Sequence, residues 1–113
     1  MRQQIGVLVD LVILSSCRKE LEDFPSKVKE DLFDVLRDLK EGLSLSMPLS
    51  RKMASMGQGV FELRFRDVSG IYRIIYVVRK RDAIYLVHAF KKKTSKTSMK
   101  NIEVALKRIK GII

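Results

Sequence analysis

The sequence is poor in the residues that form disulfides and metal sites. Cys17 is the only cysteine and His88 the only histidine among 113 residues. One thiol forms no intramolecular disulfide, and these two side chains offer no cluster with the ligand spacing of a zinc site. We therefore expect one cytoplasmic domain over residues 1–113 that depends on a hydrophobic core rather than on disulfides or a metal.

A long apolar segment is also missing near the start of the chain. The apolar run at residues 5–14 is well short of the ~20 residues that span a bilayer. Asp10 lies within this run, which is unfavourable for the core of a signal peptide. A buried strand is the better interpretation, and we expect no membrane anchor.

Acidic residues are scarce in the second half of the chain. Residues 1–50 hold seven basic and nine acidic side chains, whereas residues 51–113 hold sixteen basic and four acidic ones. The formal charge of +10 at pH 7 therefore comes from one half of the molecule. This asymmetry predicts a surface that binds a polyanion, with improved solubility as the simpler alternative.

The first half predicts a strand followed by two helices. Residues 6–14 are rich in Val, Leu and Ile, as in a buried strand. Residues 16–24 predict a short helix that Pro25 ends, and Ser26 is the expected N-cap of a second helix that ends near Gly42. The apolar residues at helical spacing in this second helix are Val28, Leu32, Val35, Leu36 and Leu39. We expect the two helices to form a hairpin that packs on a sheet.

The second half predicts a meander of strands and a last helix. Residues 43–59 are broken by serine, proline and glycine, which indicates a loop. The predicted strands are residues 61–66, 71–79 and 84–92, with turns at 67–70 and 80–83. A helix is predicted from Ser98, with Gly111 near its end. The predicted fold is α+β, a small antiparallel-rich sheet of about four strands with the helical hairpin on one side and a C-terminal helix.

The short turns determine which side chains face each other across the last three strands. Pairing Arg79 with Ile84 in the second hairpin places three rows of side chains on one face. The predicted rows are Arg66–Ile71–Lys92, Arg64–Arg73–Phe90 and Glu62–Ile75–His88. A slip of one residue in a strand sends its side chains to the other face, so this prediction depends on the register.

The middle row places two arginines side by side. Like charges directly opposite each other destabilise a sheet, which indicates that Arg64 and Arg73 bind an anion. A phosphate between them accepts charge-assisted hydrogen bonds from both, and Phe90 offers a surface on which an RNA base stacks. The simpler alternatives are that the two arginines turn apart into solvent, or that Glu62 neutralises one of them.

The end of the last strand adds further candidates. Lys91, Lys92 and Lys93 follow Phe90 and extend the basic surface, although a triple lysine is usually just solvated. His88 is the candidate for imidazole acid–base chemistry, and packing of its ring within the sheet is the equal alternative.

Three segments of the second half resemble the HigB-like, phage-derived branch of the RelE toxin superfamily. They are GVFELR at residues 59–64, SGIYRIIY at 69–76 and HAFKKKT at 88–94. Residues 95–97 and the helix at 102–109 fit the same pattern, so the resemblance extends over residues 57–109 and, more loosely, over 24–42.

The resemblance implies a RelE-like fold and ribosome-dependent cleavage of mRNA without a metal or cofactor. In that reaction the ribose 2′-hydroxyl attacks the neighbouring phosphate and leaves a cyclic phosphate and a 5′-hydroxyl. By position, Arg64 and Arg73 match residues that grip the scissile phosphate, and Lys92 matches a basic position. Either Glu62 or His88 is expected to take the 2′-hydroxyl proton. The residues expected to contact RNA around them are Arg66, Phe90, Lys91 and Lys93.

The resemblance also implies a partner. Such toxins are held silent by an antitoxin, often a helix-turn-helix DNA-binding protein, and an acidic antitoxin segment would complement the basic face. The terminal tyrosine or aspartate of some relatives has no clear match here. A basic RNA- or ribosome-binding module without catalysis therefore remains an alternative, as does a phage-derived protein whose basic face binds an acidic protein.

Overall fold

The computed structural model describes residues 10–41, 49–79, 83–92 and 97–112. The strands within these residues are β1 (Asp10–Ile13), β2 (Ser50–Lys52), β3 (Val60–Asp67), β4 (Gly70–Arg79) and β5 (Ala83–Lys92). The helices are α1 (Ser15–Leu21), α2 (Ser26–Lys40) and α3 (Met99–Lys110), with a 3-10 turn at Ala54–Met56. The strands form one sheet in the order β1-β5-β4-β3-β2. Only the β1–β5 pair is parallel among these neighbours, which confirms an antiparallel-rich α+β fold.

The sheet has a hydrophobic core on each face because successive side chains of a strand point to opposite sides. On one face, Leu63 and Ile74 pack in a cluster with α1 and α2. The buried residues of α2 are the five predicted at helical spacing, Val28, Leu32, Val35, Leu36 and Leu39. On the other face, Ile75 packs in a cluster with Ala105 and Ile109 of α3. No helix in the described part of the chain is both long and apolar enough to cross a membrane.

The prediction of a loop over residues 43–59 is wrong in its second part. Ser50–Lys52 forms the strand β2, which pairs with β3, and the 3-10 turn follows it. The Ser50 hydroxyl lies 2.7 Å from the Tyr76 hydroxyl, which ties the strand to the core. Serine, arginine and lysine in a row carry no period-two apolar pattern, so the sequence did not indicate this strand. The described sheet therefore has five strands rather than about four.

Some predicted boundaries shift by a few residues. Pro25, not Ser26, is the N-cap of α2, where a missing N–H costs no helical hydrogen bond. The first helix ends at Leu21 rather than at residue 24. The last helix begins at the predicted place, and the Ser98 side chain caps it by accepting from the backbone N–H of Asn101. Several predicted features lie outside the described residues, namely positions 6–9 of the first strand, the helix end at Gly42, residues 43–48 of the loop and the turn at 80–82.

The register of the central strands confirms the three predicted rows. The observed rows are Arg66–Ile71–Lys92, Arg64–Arg73–Phe90 and Glu62–Ile75–His88. Residues directly opposite each other in an antiparallel pair point to the same side of the sheet. Because Ile75 and Phe90 belong to the core cluster of α3, these rows lie on the α3 face.

A β-bulge changes the register at the far end of β4 and β5. The predicted pairing of Arg79 with Ile84 is wrong, since Arg79 pairs with Ala83. Between Ile75 and Tyr76 the pairing shifts by one, so that Val87 on β5 is the extra residue. The predicted rows are correct because they lie on the other side of this bulge.

Helix α1 carries the only cysteine into the core. Cys17 is fully buried in the cluster that α1 and α2 form with the sheet. Burial, and after it the carboxylate of Glu20, raises the pKa of Cys17 to about 12, although Arg108 and Arg18 oppose the shift. Because the thiolate is the reactive form of cysteine, the thiol is inert while the protein is folded.

We expect Cys17 to be unreactive towards Ellman's reagent at pH 8 in the native protein and to react fully in concentrated guanidinium chloride. The burial and the raised pKa both remove the thiolate from the folded state. Absorbance of the released thionitrobenzoate measures the reaction, with the unfolded protein as the control for stoichiometry. Rapid labelling of the native protein would contradict this placement of α1.

Candidate active site

The site is built on the α3 face of the sheet, where the rows of Arg64 and Glu62 lie. Strands β3 and β4 place Arg64 directly opposite Arg73, and Glu62 one row away opposite Ile75. Strand β2 adds Arg51, which lies opposite Glu62. Arg51 was not predicted as part of the site, because its sequence neighbourhood indicates a loop.

Arg73 and Glu62 form a buried ion pair. Both residues are 0% exposed, and Arg73 Nη1 donates to Glu62 Oε1 at 2.8 Å. The same Nη1 donates to Thr97 Oγ1 at 3.0 Å, and the Thr97 hydroxyl donates to Glu62 Oε2 at 2.5 Å. Of the alternatives raised from the sequence, Glu62 therefore neutralises one of the two arginines. Removing one member of such a pair costs about 3–5 kcal/mol, because the other charge stays buried without its partner.

Arg64 is the half-exposed member of the arginine row and lies in a positive environment. Burial, and after it the charge of Arg73, lowers the pKa of Arg64 below its ordinary value. Arg51 and Arg66 add to this effect, and Glu62 opposes it. A site in which several guanidinium groups repel one another gains free energy when an anion binds.

The basic surface continues beyond Arg64 to the end of the sheet. Arg66 is exposed and Lys92 half-exposed, and they lie on either side of Ile71 in one row. A groove beside this row is lined by Leu49, Arg64, Phe65, Arg66 and Ile71. Positively charged side chains can bind phosphates, and the apolar side chains between them can contact flat rings. Single-stranded RNA carries both kinds of group.

Phe90 and the triple lysine do not all lie on this surface. Phe90 is only 9% exposed and stacks on the His88 ring, with centroids 4.9 Å apart. Lys91 is exposed but points to the opposite face, where its Nζ lies 5.8 Å from the centre of the Tyr72 ring. Lys93 lies outside the described residues.

His88 is 5% exposed, and both of its ring nitrogens have partners. Nδ1 lies 3.0 Å from Glu20 Oε1, and Nε2 lies 2.7 Å from Asn101 Oδ1. An imidazolium can donate to both oxygens at once. His88, which lies on β5, therefore connects α1 to α3. This structural role is an alternative to the predicted role in proton transfer.

Glu20 is the centre of this network, and its role was not predicted from the sequence. Arg108 donates to its two oxygens at 2.9 and 3.0 Å, and the backbone N–H of Ala89 donates at 3.0 Å. Burial acts to raise the pKa of Glu20, but the hydrogen bonds from Arg108, Ala89 and His88 outweigh it and lower that pKa. Arg108 also donates to the carbonyl of Val87, the extra residue of the bulge, at 2.9 Å. The network thus attaches α3 to the sheet and to α1.

Comparisons with known proteins agree with this architecture. The profile of a family described as "Phage derived protein Gp49-like (DUF891)" matches residues 19–110. The structure of a variant of the toxin RelE from Escherichia coli in the free state aligns with 95% of this chain and 100% of its own, at 22% identity and a TM-score of 0.59. The RelBE2 toxin–antitoxin complex from Mycobacterium tuberculosis contains a chain that aligns with 81% of this one and 100% of its own, at 16% identity and a TM-score of 0.50. No curated protein matches the sequence.

We expect Glu20→Gln to lower the free energy of unfolding at pH 7 by about 1–3 kcal/mol, since hydrogen bonds to a charged group are lost. The pKa of Glu20 in the folded protein lies below its ordinary value of 4.5. Its stabilising contribution is therefore fully present above pH 4.5 and is lost as the pH falls through the lower folded value. The difference in the free energy of unfolding between wild type and variant should therefore become smaller in that acidic range.

Urea unfolding from pH 7 to pH 2.5 measures this difference. The matched control is Glu22→Gln, which removes the same charge from an exposed residue just after α1. An equal loss of stability in both variants, or a difference that does not depend on pH, would contradict the role of the Glu20 network.

Proposed function

We propose that this chain, which belongs to the Gp49-like family of phage-derived proteins and has the fold of RelE toxins, is the toxin of a toxin–antitoxin pair. Its activity is endoribonucleolytic cleavage of mRNA on the ribosome, without a metal or cofactor, in the cytoplasm. The observation that carries the proposal is the placement of half-exposed Arg64 directly opposite Arg73, beside the buried Arg73–Glu62 pair. Folding alone does not require such an arrangement, whereas a phosphate ligand stabilises it.

In the proposed reaction, Arg64 binds the scissile phosphate, and Arg66 and Lys92 bind the flanking backbone. The 2′-hydroxyl oxygen attacks the adjacent phosphorus, the bond from phosphorus to the 5′-oxygen breaks, and the 5′-oxygen takes a proton. A 2′,3′-cyclic phosphate and a 5′-hydroxyl remain. Negative charge builds up on the phosphoryl oxygens in the transition state, and fixed cations beside it lower the barrier.

Because Arg73 is buried, its proposed role in the reaction differs from that of Arg64. Arg73 lies directly opposite Arg64 in the same row, so its charge adds to the positive potential at the phosphate even though Glu62 partly cancels it. Glu62 and His88, the two candidates for taking the 2′-hydroxyl proton, are both buried and have both polar atoms engaged in hydrogen bonds. Glu62 is the better candidate because it lies on the same strand as Arg64, whereas His88 lies two strands away.

The proposed partner is an antitoxin with an acidic segment, of the helix-turn-helix type that the sequence resemblance suggests. The structure from Mycobacterium tuberculosis that shares this fold is a toxin–antitoxin complex. An acidic segment over Arg51, Arg64 and Arg66 would relieve their repulsion as a phosphate does, so the antitoxin and RNA would compete for one surface.

A second function, a basic RNA- or ribosome-binding module without catalysis, is favoured by one observation. Among the described residues, both carboxylate oxygens of Glu62 accept hydrogen bonds, and both nitrogens of His88 have partners. A base whose lone pairs are engaged is a weaker proton acceptor. Such a module binds RNA with a steep dependence on salt but produces no new RNA ends.

We expect new 5′ ends when a defined mRNA on programmed ribosomes is incubated with the antitoxin-free protein and mapped by primer extension. Arg64→Ala should slow this cleavage by at least about 100-fold, because a cation at the developing charge is lost. Lys40→Ala is the matched control, since it removes one exposed positive charge from α2 on the opposite face. A cooperative thermal unfolding transition in each variant would establish that it is folded.

Two results would argue against the proposal. Folded wild-type protein that produces no ends but binds ribosomes with a steep salt dependence would favour the binding module. Cleavage that Arg64→Ala leaves unchanged would remove Arg64 from the reaction.

The choice of proton acceptor gives a further prediction. We expect Glu62→Gln to reduce the single-turnover rate constant by about 100-fold, whereas His88→Gln should mainly lower thermal stability. Rates are compared at a temperature below the unfolding midpoint of each variant. The reverse order, with His88→Gln the slower enzyme, would assign the proton transfer to His88.

A further inference from the structure

Thr97 contacts both members of the buried ion pair through one oxygen. Its Oγ1 accepts from Arg73 Nη1 at 3.0 Å and donates to Glu62 Oε2 at 2.5 Å. Since the same Nη1 also donates to Glu62 Oε1 at 2.8 Å, the three groups form a closed ring of hydrogen bonds. Both oxygens of the carboxylate are thereby held, one by a cation and one by a neutral hydroxyl.

The location of Thr97 links this ring to the docking of α3. Thr97 directly precedes Ser98, the N-cap of α3. The helix is attached to the sheet by Asn101, through His88, and by Arg108, through Glu20 and the Val87 carbonyl. Thr97 is itself half-buried and lines a groove with Arg51, so it lies between the buried pair and the solvent-facing basic surface.

We propose that Thr97 is a positioning residue that holds Glu62 and Arg73 in the geometry the reaction needs. The inference rests on the proposed function. Arginine and glutamate are long side chains with several rotatable bonds, and burial alone does not select one arrangement of their polar atoms. A misplacement of about 1 Å at a reacting group can cost about 100-fold in rate. The Thr97 hydroxyl removes this freedom at Oε2 of Glu62, to which it donates a hydrogen bond.

The simpler explanation is that Thr97 only satisfies the hydrogen-bonding capacity of a buried carboxylate. In that case its loss lowers stability, while the rate constant of the remaining folded protein stays the same. A positioning role instead predicts a fall in the rate constant with little change in affinity, because Arg64, Arg66 and Lys92 still bind the RNA. The two explanations are therefore separable by experiment.

The test compares Thr97→Val, which keeps the shape of the side chain but lacks the hydroxyl, with Thr97→Ser, which keeps the hydroxyl. Single-turnover cleavage of mRNA on programmed ribosomes is measured over a range of ribosome concentrations, below the unfolding temperature of each variant. We expect the rate constant of Thr97→Val to fall about 10-fold or more. The half-saturating ribosome concentration should change less than about twofold. Thr97→Ser should restore most of the rate, and Ser26→Ala, which removes an exposed hydroxyl from α2, should leave it unchanged.

A second measurement does not require cleavage. The guanidinium protons of Arg73 in ¹⁵N-labelled protein should exchange slowly with solvent in wild type and Thr97→Ser, and at least about 10-fold faster in Thr97→Val. Unchanged exchange together with an unchanged rate constant in Thr97→Val would overturn the inference. The proposed function would still stand in that case if wild-type protein cleaves mRNA and Arg64→Ala slows the cleavage. If wild-type protein does not cleave, the proposed function fails. Faster exchange in Thr97→Val would then still assign Thr97 the positioning of Arg73, and unchanged exchange would reject it.

Discussion

The burial of Arg73 against Glu62 is the interaction on which the candidate site depends. Two opposite charges in the interior cost several kcal/mol of desolvation each, so the pair persists only where good geometry and further hydrogen bonds compensate. This requirement explains why Thr97 lies against the pair, at the start of α3. It also explains the charge of the surface above, because the carboxylate that opposes the repulsion around Arg64 is committed to Arg73.

A second polar network attaches α3 to β5, two strands away from Glu62. Glu20 receives hydrogen bonds from α3, from β5 and from the ring of His88. The bulge at Val87 contributes to it, since the displaced backbone offers a carbonyl that Arg108 binds. Helix α3 is therefore attached at both ends, at Arg108 by an ion pair and at Thr97 by the buried site. A binding surface on such a support loses little free energy to reorganisation when a ligand binds.

The period-two pattern of residues 61–66 and the short turns after them predicted both the central strands and the rows that bring Arg64 and Arg73 together. The prediction succeeded because side-chain alternation and turn length are local properties. Strand β2 was not predicted, since Ser50–Lys52 is held by pairing with β3 and carries no pattern of its own. The role of Glu20 was not predicted for a similar reason. Its partners His88 and Arg108 lie 68 and 88 residues away in the sequence.

The sequence by itself determined the fold class, the placement of the two arginines on one shared face of the sheet and the concentration of positive charge in the second half of the chain. Only the tertiary structure decided which of these cations is exposed. Arg64 and Arg73 are neighbours of the same type in one row, yet one is half-exposed and the other fully buried against Glu62. It also decided that Phe90 stacks on His88 and that Lys91 lies on the opposite face. The physical reason is that burial and charge pairing depend on α3 and α1 covering the sheet, and these contacts join segments that are far apart in the chain.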